Sequence, residues 1–186
     1  MNKQPQVTEK TRKKLIASFW KMYKTNDISK ITIGNICKRA DYERTSFYRY
    51  FDDINDILEQ TEKEIVESIR SDIQKNYKDE DTGIFYEGFK KFNSKYGEYI
   101  VVFHEKGNRN FYNKFKALVK EDVFKYLKFN VKDEKEKDFL FEFMFSSLIS
   151  SYAYWYRHQK SMTLESFVKY ANNLLLNGTK DIIIYK

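Results

Sequence analysis

The sequence predicts an all-α chain: an N-terminal three-helix module ending in a helix-turn-helix, and a larger helical body, about nine helices in all. Three observations lead there. With one proline and six glycines among 186 residues, most segments carry no helix breaker. Apolar residues recur at the i, i+3, i+4, i+7 spacing of a buried helix face, and neither a strand pattern nor an internal repeat appears. A hydrophobic content of 41%, with 16 Phe and 15 Tyr, is enough to bury a core under those faces. The module is expected over residues 1–52 and the body over 53–186, the body opening with a linking helix over 53–77.

The first helix runs from about Thr8 to Lys24, with Leu15, Ile16, Phe19, Trp20 and Tyr23 as its apolar stripe and Arg12, Lys13 and Lys14 opposite. In the second, Ile33, Ile36, Cys37 and Ala40 share one face. Thr32 precedes them, where its hydroxyl can accept from a free backbone N–H as an N-cap. Asp41 and Tyr42 break the pattern. The third helix, Arg44 to Tyr50, is too short and polar for a core helix. Phe47 and Phe51 point in, while Arg44, Thr45, Ser46, Tyr48 and Arg49 face out. The fourth runs from Asp53 to Tyr77 on a stripe of Ile54, Ile57, Leu58, Thr61, Ile65, Ile69 and Ile73, with Asp52 and Asp53 at its positive dipole end. At about 1.5 Å per residue it is long enough to link two modules.

The polar string from Lys78 to Gly83 marks the break before the body. A helix carrying Phe85, Phe89, Phe92 and Tyr96 follows, interrupted at Gly97, with a short apolar run from Tyr99 to Phe103 behind it. Gly107-Asn108 breaks the chain before a helix from Asn108 to Lys128, with Phe111, Tyr112, Phe115, Leu118, Val119, Val123, Phe124 and Leu127 inward. Lys132 to Asp138 is a solvated connection and helix start. The nearly uncharged stretch Phe139–Tyr156 reads as a helix buried almost all round. It is short for a membrane span, carries Glu142 in its first turn and four serines midway, and spreads its aromatics along its length instead of at two ends. A last helix begins after Thr163, buries Leu164, Phe167, Val168, Ala171, Leu174 and Leu175, and stops at Gly178. The closing Ile182–Tyr185 is ambiguous.

Charge is unevenly spread. Residues 1–50 hold 12 Lys and Arg against 4 Asp and Glu, a net of +8, while the remainder holds 22 against 23, a net of −1. A basic module on a neutral body is the footprint of a polyanion binder. The outward groups of the third helix are guanidinium and hydroxyl, the types that meet phosphates and base edges in a major groove. The lone Cys37 excludes a disulfide within the chain and fits a reducing cytosol, so a cytoplasmic protein is expected. Beside Ile33 and Ile36 it reads as a small core residue. The first fourteen residues are polar and charged, unlike a secretory leader. No nucleophile–base pair, glycine-rich phosphate loop or metal-ligand cluster is visible, and His104 and His158 stand alone. The expectation is a non-enzyme without cofactor or metal.

The stretch from Leu15 to Leu58 resembles the tetracycline-repressor (TetR) family of bacterial transcription regulators. The resemblance rests on an aromatic-containing first helix, Thr32-x-x-x-Ile36, the run Thr45-Ser46-Phe47-Tyr48-Arg49-Tyr50-Phe51, and Ile57-Leu58. More loosely, Ser150 to Gly178, with Trp155 and a closing Leu-Leu-x-Asn-Gly, is similar to the C-terminal helix pair of one branch. Two positions depart from the family pattern. Asp41 stands where glycine is usual in the turn, a place aspartate tolerates. Ile54 stands where a lysine often reaches a phosphate, so Lys38, Arg39 or the N-terminal lysines would supply that charge.

The resemblance implies a homodimeric repressor that binds a palindromic double-stranded DNA operator and is released by a small effector. Arg44, Thr45, Ser46 and Arg49 would face the groove, Tyr48 would donate to a phosphate, and Thr32 and Lys38 would touch the DNA backbone. Capping and plain solvation are the alternatives for those last two. A twofold dimer would place two third helices ~34 Å apart in successive major grooves. Ser147, Ser150, Ser151, Tyr154, Phe167, Ala171 and Leu174 are the expected dimer surface, a four-helix interface. The serines, with Ser146, also suit a close contact within one chain. Phe85, Phe89, Phe92, Phe103, Tyr112 and Phe115 either line a pocket for an apolar or aromatic effector or form plain core. The competing function is a coregulator of the same fold that acts through a protein partner, toward which Ile54 leans.

Overall fold

Eight α-helices and one 3-10 turn build the computed structural model, which describes residues 5–76, 84–126, 130–158 and 161–178. The helices are α1 (Pro5–Tyr23), α2 (Ile33–Ala40), α3 (Arg44–Phe47), α4 (Ile54–Asn76), α5 (Ile84–Glu105), α6 (Arg109–Tyr126), α7 (Glu134–Arg157) and α8 (Leu164–Asn177), with the 3-10 turn Ile28–Lys30 between α1 and α2. No strand occurs among the described residues. The chain divides into two compact units, Met1–Ile65 and Val66–Lys186, and the division falls inside α4. No helix among the described residues is long and apolar enough to cross a membrane.

In the first unit, α1, α2 and α3 meet around Leu15, Phe19, Phe47, Phe51, Ile36 and Ile57, all essentially inaccessible to solvent. The starts of α2 and α4 are locally encoded. Thr32 Oγ1 accepts from Asn35 N at 3.2 Å, and Asp53 Oδ1 accepts from Asn55 N at 2.7 Å and Asp56 N at 2.8 Å. These bonds satisfy donors that the helix cannot pair internally. The third helix is shorter than expected. Regular turns end at Phe47, and the chain tightens through Tyr50 N to Phe47 O at 3.0 Å. The tightening carries Phe51 into the core beside Phe47 (ring centroids 5.3 Å apart) before Asp53 starts α4.

In the second unit, α5 runs unbroken through Gly97, against the expected interruption, so the apolar run Tyr99–Phe103 continues α5 and eight helices are counted among the described residues. A Cβ at Gly97 would stand 2.3 Å from Tyr152 Oη and 3.2 Å from Tyr156 Cε2, so α7 lies too close for any side chain there. The glycine permits a close helix crossing in place of breaking a helix. Tyr152 Oη, pressed in by this crossing, donates to Asn93 Oδ1 at 2.6 Å, and its burial pushes its ionisation well above the usual tyrosine range. Tyr96 Oη donates to Asp72 Oδ2 at 2.7 Å, while Lys95 Nζ donates to the same oxygen, which ties α5 to the C-terminal turns of α4.

α7 is not buried all round. Phe141, Phe145, Ile149, Tyr152 and Trp155 face the core, but Phe139 is 75% exposed, Phe143 57% and Tyr154 68%. Among the described residues only one side of this largely apolar helix is covered. The helix ends follow the sequence: Asp133 and Thr163 cap α7 and α8 through Glu136 N and Ser166 N, and Gly178 closes α8 with φ +68°. The polar string 78–83 and Ile182–Tyr185 lie outside the described residues.

Candidate nucleic-acid interface

The candidate interface is built on α2, its following turn, and α3. α2 ends because Asp41 takes the left-handed conformation (φ 61°, ψ 49°), and both Asp41 N and Tyr42 N return to Cys37 O. A residue at positive φ reverses the chain at once, so α3 can start three residues later with its own direction. The conformation that glycine favours is here held by aspartate. Glu43 precedes α3 in extended conformation without a side-chain cap.

Two buried rings fix the orientation of α3. Phe47 and Phe51 are sealed in the core, so the intervening residues project outward. Thr45, Tyr48 and Arg49 are exposed, Ser46 is half-buried, and Tyr48 is 59% accessible with its ring edge-on to Phe47 at 5.8 Å. Thr32, Lys38, Arg39 and Arg44 are also exposed. Lys38 on α2, Arg44 and Thr45 on α3, and Tyr48 and Arg49 just after α3 thus present polar or cationic groups to solvent, with Thr32 at the start of α2. An open depression of about 490 Å³ lies on this surface, lined by Cys37, Lys38, Asp41, Tyr42, Glu43 and Ser46. Cys37 forms its floor as a core residue. Burial raises its thiol's ionisation, and this outweighs the opposing pull of the Arg44 charge.

A brace behind α3 was not legible in the sequence. Arg12 of α1 donates to Gln60 Oε1 of α4 at 2.8 Å, pairs with Glu64, and stacks its guanidinium over Phe51 at 5.6 Å. Gln60 Nε2 in turn donates to Tyr50 O at 3.1 Å and to Asp56, whose other bond holds Asp52 N at 2.9 Å. Together these fix the corner after α3. Only the i, i+4 spacing of Asp52, Asp56, Gln60 and Glu64 hinted at one acidic and amide-bearing face; nothing local pointed to Arg12. Lys14 of α1 similarly rests over the Tyr42 ring at 5.6 Å.

The expected body sites fare differently. Phe92 and Phe115 stack (6.3 Å), Phe103 and Phe115 both stack on Phe111 (4.1 and 5.9 Å), and Tyr112 meets Phe145 edge-on (5.4 Å) while bonding Ser146 Oγ at 3.2 Å. Phe92, Phe103, Tyr112 and Phe115 thus converge, but as rings packed on rings. The side chains of Phe85 and Phe89 lie outside the described residues. On α7, Ser150, Ser151 and Tyr154 are exposed and Ser147 half-buried, on the face that carries Phe139 and Phe143. On α8, Ala171 and Leu174 are half-buried. Phe167 is buried within its own chain, stacked on Trp155 at 5.1 Å.

Known proteins supply a frame for this geometry. The profile of a TetR-type family described as a transcriptional regulator C-terminal region matches residues 79–177, more than half of the chain. A TetR transcriptional regulator from Streptococcus agalactiae 2603V has a similar structure, with a TM-score of 0.66 at 23% identity, over 91% of this chain and 96% of that one. The fatty acid degradation regulator FadR from Bacillus halodurans is also similar, with a TM-score of 0.61 at 18% identity, over 97% and 99% of the two chains. Both likenesses concern the fold. No curated protein sequence matches the chain.

Proposed function

The chain belongs to the TetR family of transcriptional regulators, and we propose that it acts as a homodimeric repressor that binds a palindromic operator and leaves it when a small effector binds. The observation that carries this reading is the exposed cationic and hydroxylated surface of α2 and α3, held rigid by Phe47, Phe51 and the Arg12 brace. In it, residues 1–52 form the DNA-binding domain, and 53–186 the dimerisation and ligand-binding domain that begins with the linker helix. Thr45, Ser46 and Arg49 read base edges, while Tyr48, Thr32 and Lys38 contact phosphates and set a salt-dependent affinity. The protein works by binding, not catalysis, in the cytoplasm where the DNA is.

Dimerisation is supported by the exposed aromatic stripe of α7 and by Tyr170 of α8, 48% accessible. Contiguous apolar exposure is costly in water and marks protein interfaces. Pairing α7 and α8 across a twofold axis would cover it. Effector release would shift the dimer to a spacing that no longer fits successive grooves. The effector would be apolar or aromatic, in keeping with the rings of α5 and α6.

The test is selection of bound sequences from random duplex DNA by the purified protein, with Tyr48→Ala beside it. The expected result is an enriched palindrome. Tyr48→Ala should bind all duplexes about tenfold more weakly, whereas Thr45→Ala should lose affinity for the enriched sequence alone. Salt-sensitive binding without enrichment would instead favour a coregulator acting through a protein partner.

A further inference from the structure

We infer that Gly34 is a positioning residue for Arg44: the bare backbone of α2 at Gly34 is the seat of the Arg44 guanidinium, and this seat makes Arg44 a phosphate contact in place of a base reader. A Cβ added at Gly34 would stand 2.9 Å from Arg44 Nη2, 3.5 Å from Nε and 3.6 Å from Cζ, so the guanidinium lies across the glycine. Arg44 is the first residue of α3 and is exposed, yet its charged end folds back onto the preceding helix. Its charge is also felt at the thiol of Cys37, one turn further along α2. A guanidinium drawn back over α2 is turned toward that helix and not along the exposed Thr45 of α3 or the exposed Tyr48 and Arg49 that follow it. A planar, weakly hydrated guanidinium suits such a flat seat, and a phosphate presented to it is met by a fixed fork of donors. Glycine disfavours the helix it occupies relative to alanine, so the residue at position 34 is a poor choice for α2 alone.

The inference rests on the DNA-binding reading above, and its test separates the two. The neighbour of the missing Cβ is the far end of a flexible side chain, so Gly34→Ala displaces the guanidinium and leaves the backbone where it is. The variant should therefore melt higher than the natural protein while binding DNA more weakly, a pair of opposite signs that a purely structural role would not produce. The full-length protein, Gly34→Ala, Arg44→Ala and the double variant would be titrated, over a range of salt, with the duplex enriched by selection and with a scrambled duplex of equal length. Both single variants are expected to weaken binding to both duplexes by about tenfold. Each should lower the salt slope by about one per subunit. The double variant should be no weaker than Arg44→Ala. If Gly34→Ala binds like the natural protein while Arg44→Ala is weakened, the seat is overturned. If Arg44→Ala loses only its preference for the enriched duplex, Arg44 is a base reader and the inference fails. An enriched palindrome whose binding neither variant alters overturns the inference alone, and the absence of any enriched duplex overturns both it and the reading beneath it.

Discussion

The N-terminal unit encloses its phenylalanines Phe19, Phe47 and Phe51 and exposes cations and hydroxyls, that of Tyr48 included, on and beside α2 and α3, whereas the C-terminal unit leaves Phe139, Phe143, Tyr154 and Tyr170 in solvent along α7 and α8. The two surfaces suit different partners. Cations and hydroxyls exchange water for phosphate oxygens and keep working when wet, because their attraction is coulombic and directional. Exposed rings gain only when water leaves them altogether, which asks for a complementary apolar surface. One unit thus completes its own core and offers a polar face, while the other has an aromatic face left open among the described residues.

The largest expected effect breaks the first half of this contrast. Phe47→Ala should destabilise the N-terminal unit by about 3–5 kcal/mol, because the ring is fully enclosed and leaves a cavity. Far-ultraviolet melting should then show the remaining helices unfolding separately at a higher temperature, and a single lower transition would mean that the units do not fold independently. Next is the aromatic face. Phe143→Asp removes a ring that is 57% exposed, so monomer stability should move by no more than about 0.5 kcal/mol. Self-association should weaken by roughly 2 kcal/mol or more, seen as a shift from dimer toward monomer mass in light scattering at micromolar protein. An unchanged mass, dimeric or monomeric, would separate the exposed stripe from dimerisation.

Gly97→Ala sharpens the picture inside the body. Its Cβ has no room beside Tyr152 Oη, so overpacking of about 1–3 kcal/mol is expected, against the gain alanine brings to an open helix position. Chemical denaturation reads the sign directly, and stabilisation would mean that the crossing relaxes freely. The smallest effect concerns the turn. Asp41→Gly should stabilise or leave unchanged the N-terminal unit, within about 1 kcal/mol, by relieving the left-handed conformation. It should also tighten DNA binding by removing an acidic group from the cationic surface. Weaker binding would show that Asp41 has a contact of its own.

Short-range features were legible in the sequence. Thr32 as a cap, the helix starts over Lys132–Asp138 and after Thr163, Asp41 as the turn residue, Gly178 as a helix stop, and Phe47 and Phe51 as inward residues all follow from neighbours within four or five positions. The uneven charge is likewise a property of the sequence alone. These features determined that the chain is helical and that it opens with a basic helix-turn-helix. Tertiary structure decided what depends on residues distant along the chain. Gly97 reads as a break until Tyr152, 55 positions away, is placed against it. Arg12 is one more surface cation until Gln60 and Glu64 meet it. Arg44 points nowhere in particular until Gly34 lies beneath it, and an apolar helix such as α7 has no inside or outside until its neighbours take one of its faces. Hydrogen bonds and backbone sterics act over a few residues and are written locally. Burial and close approach depend on which distant segments meet, and only the fold supplies them.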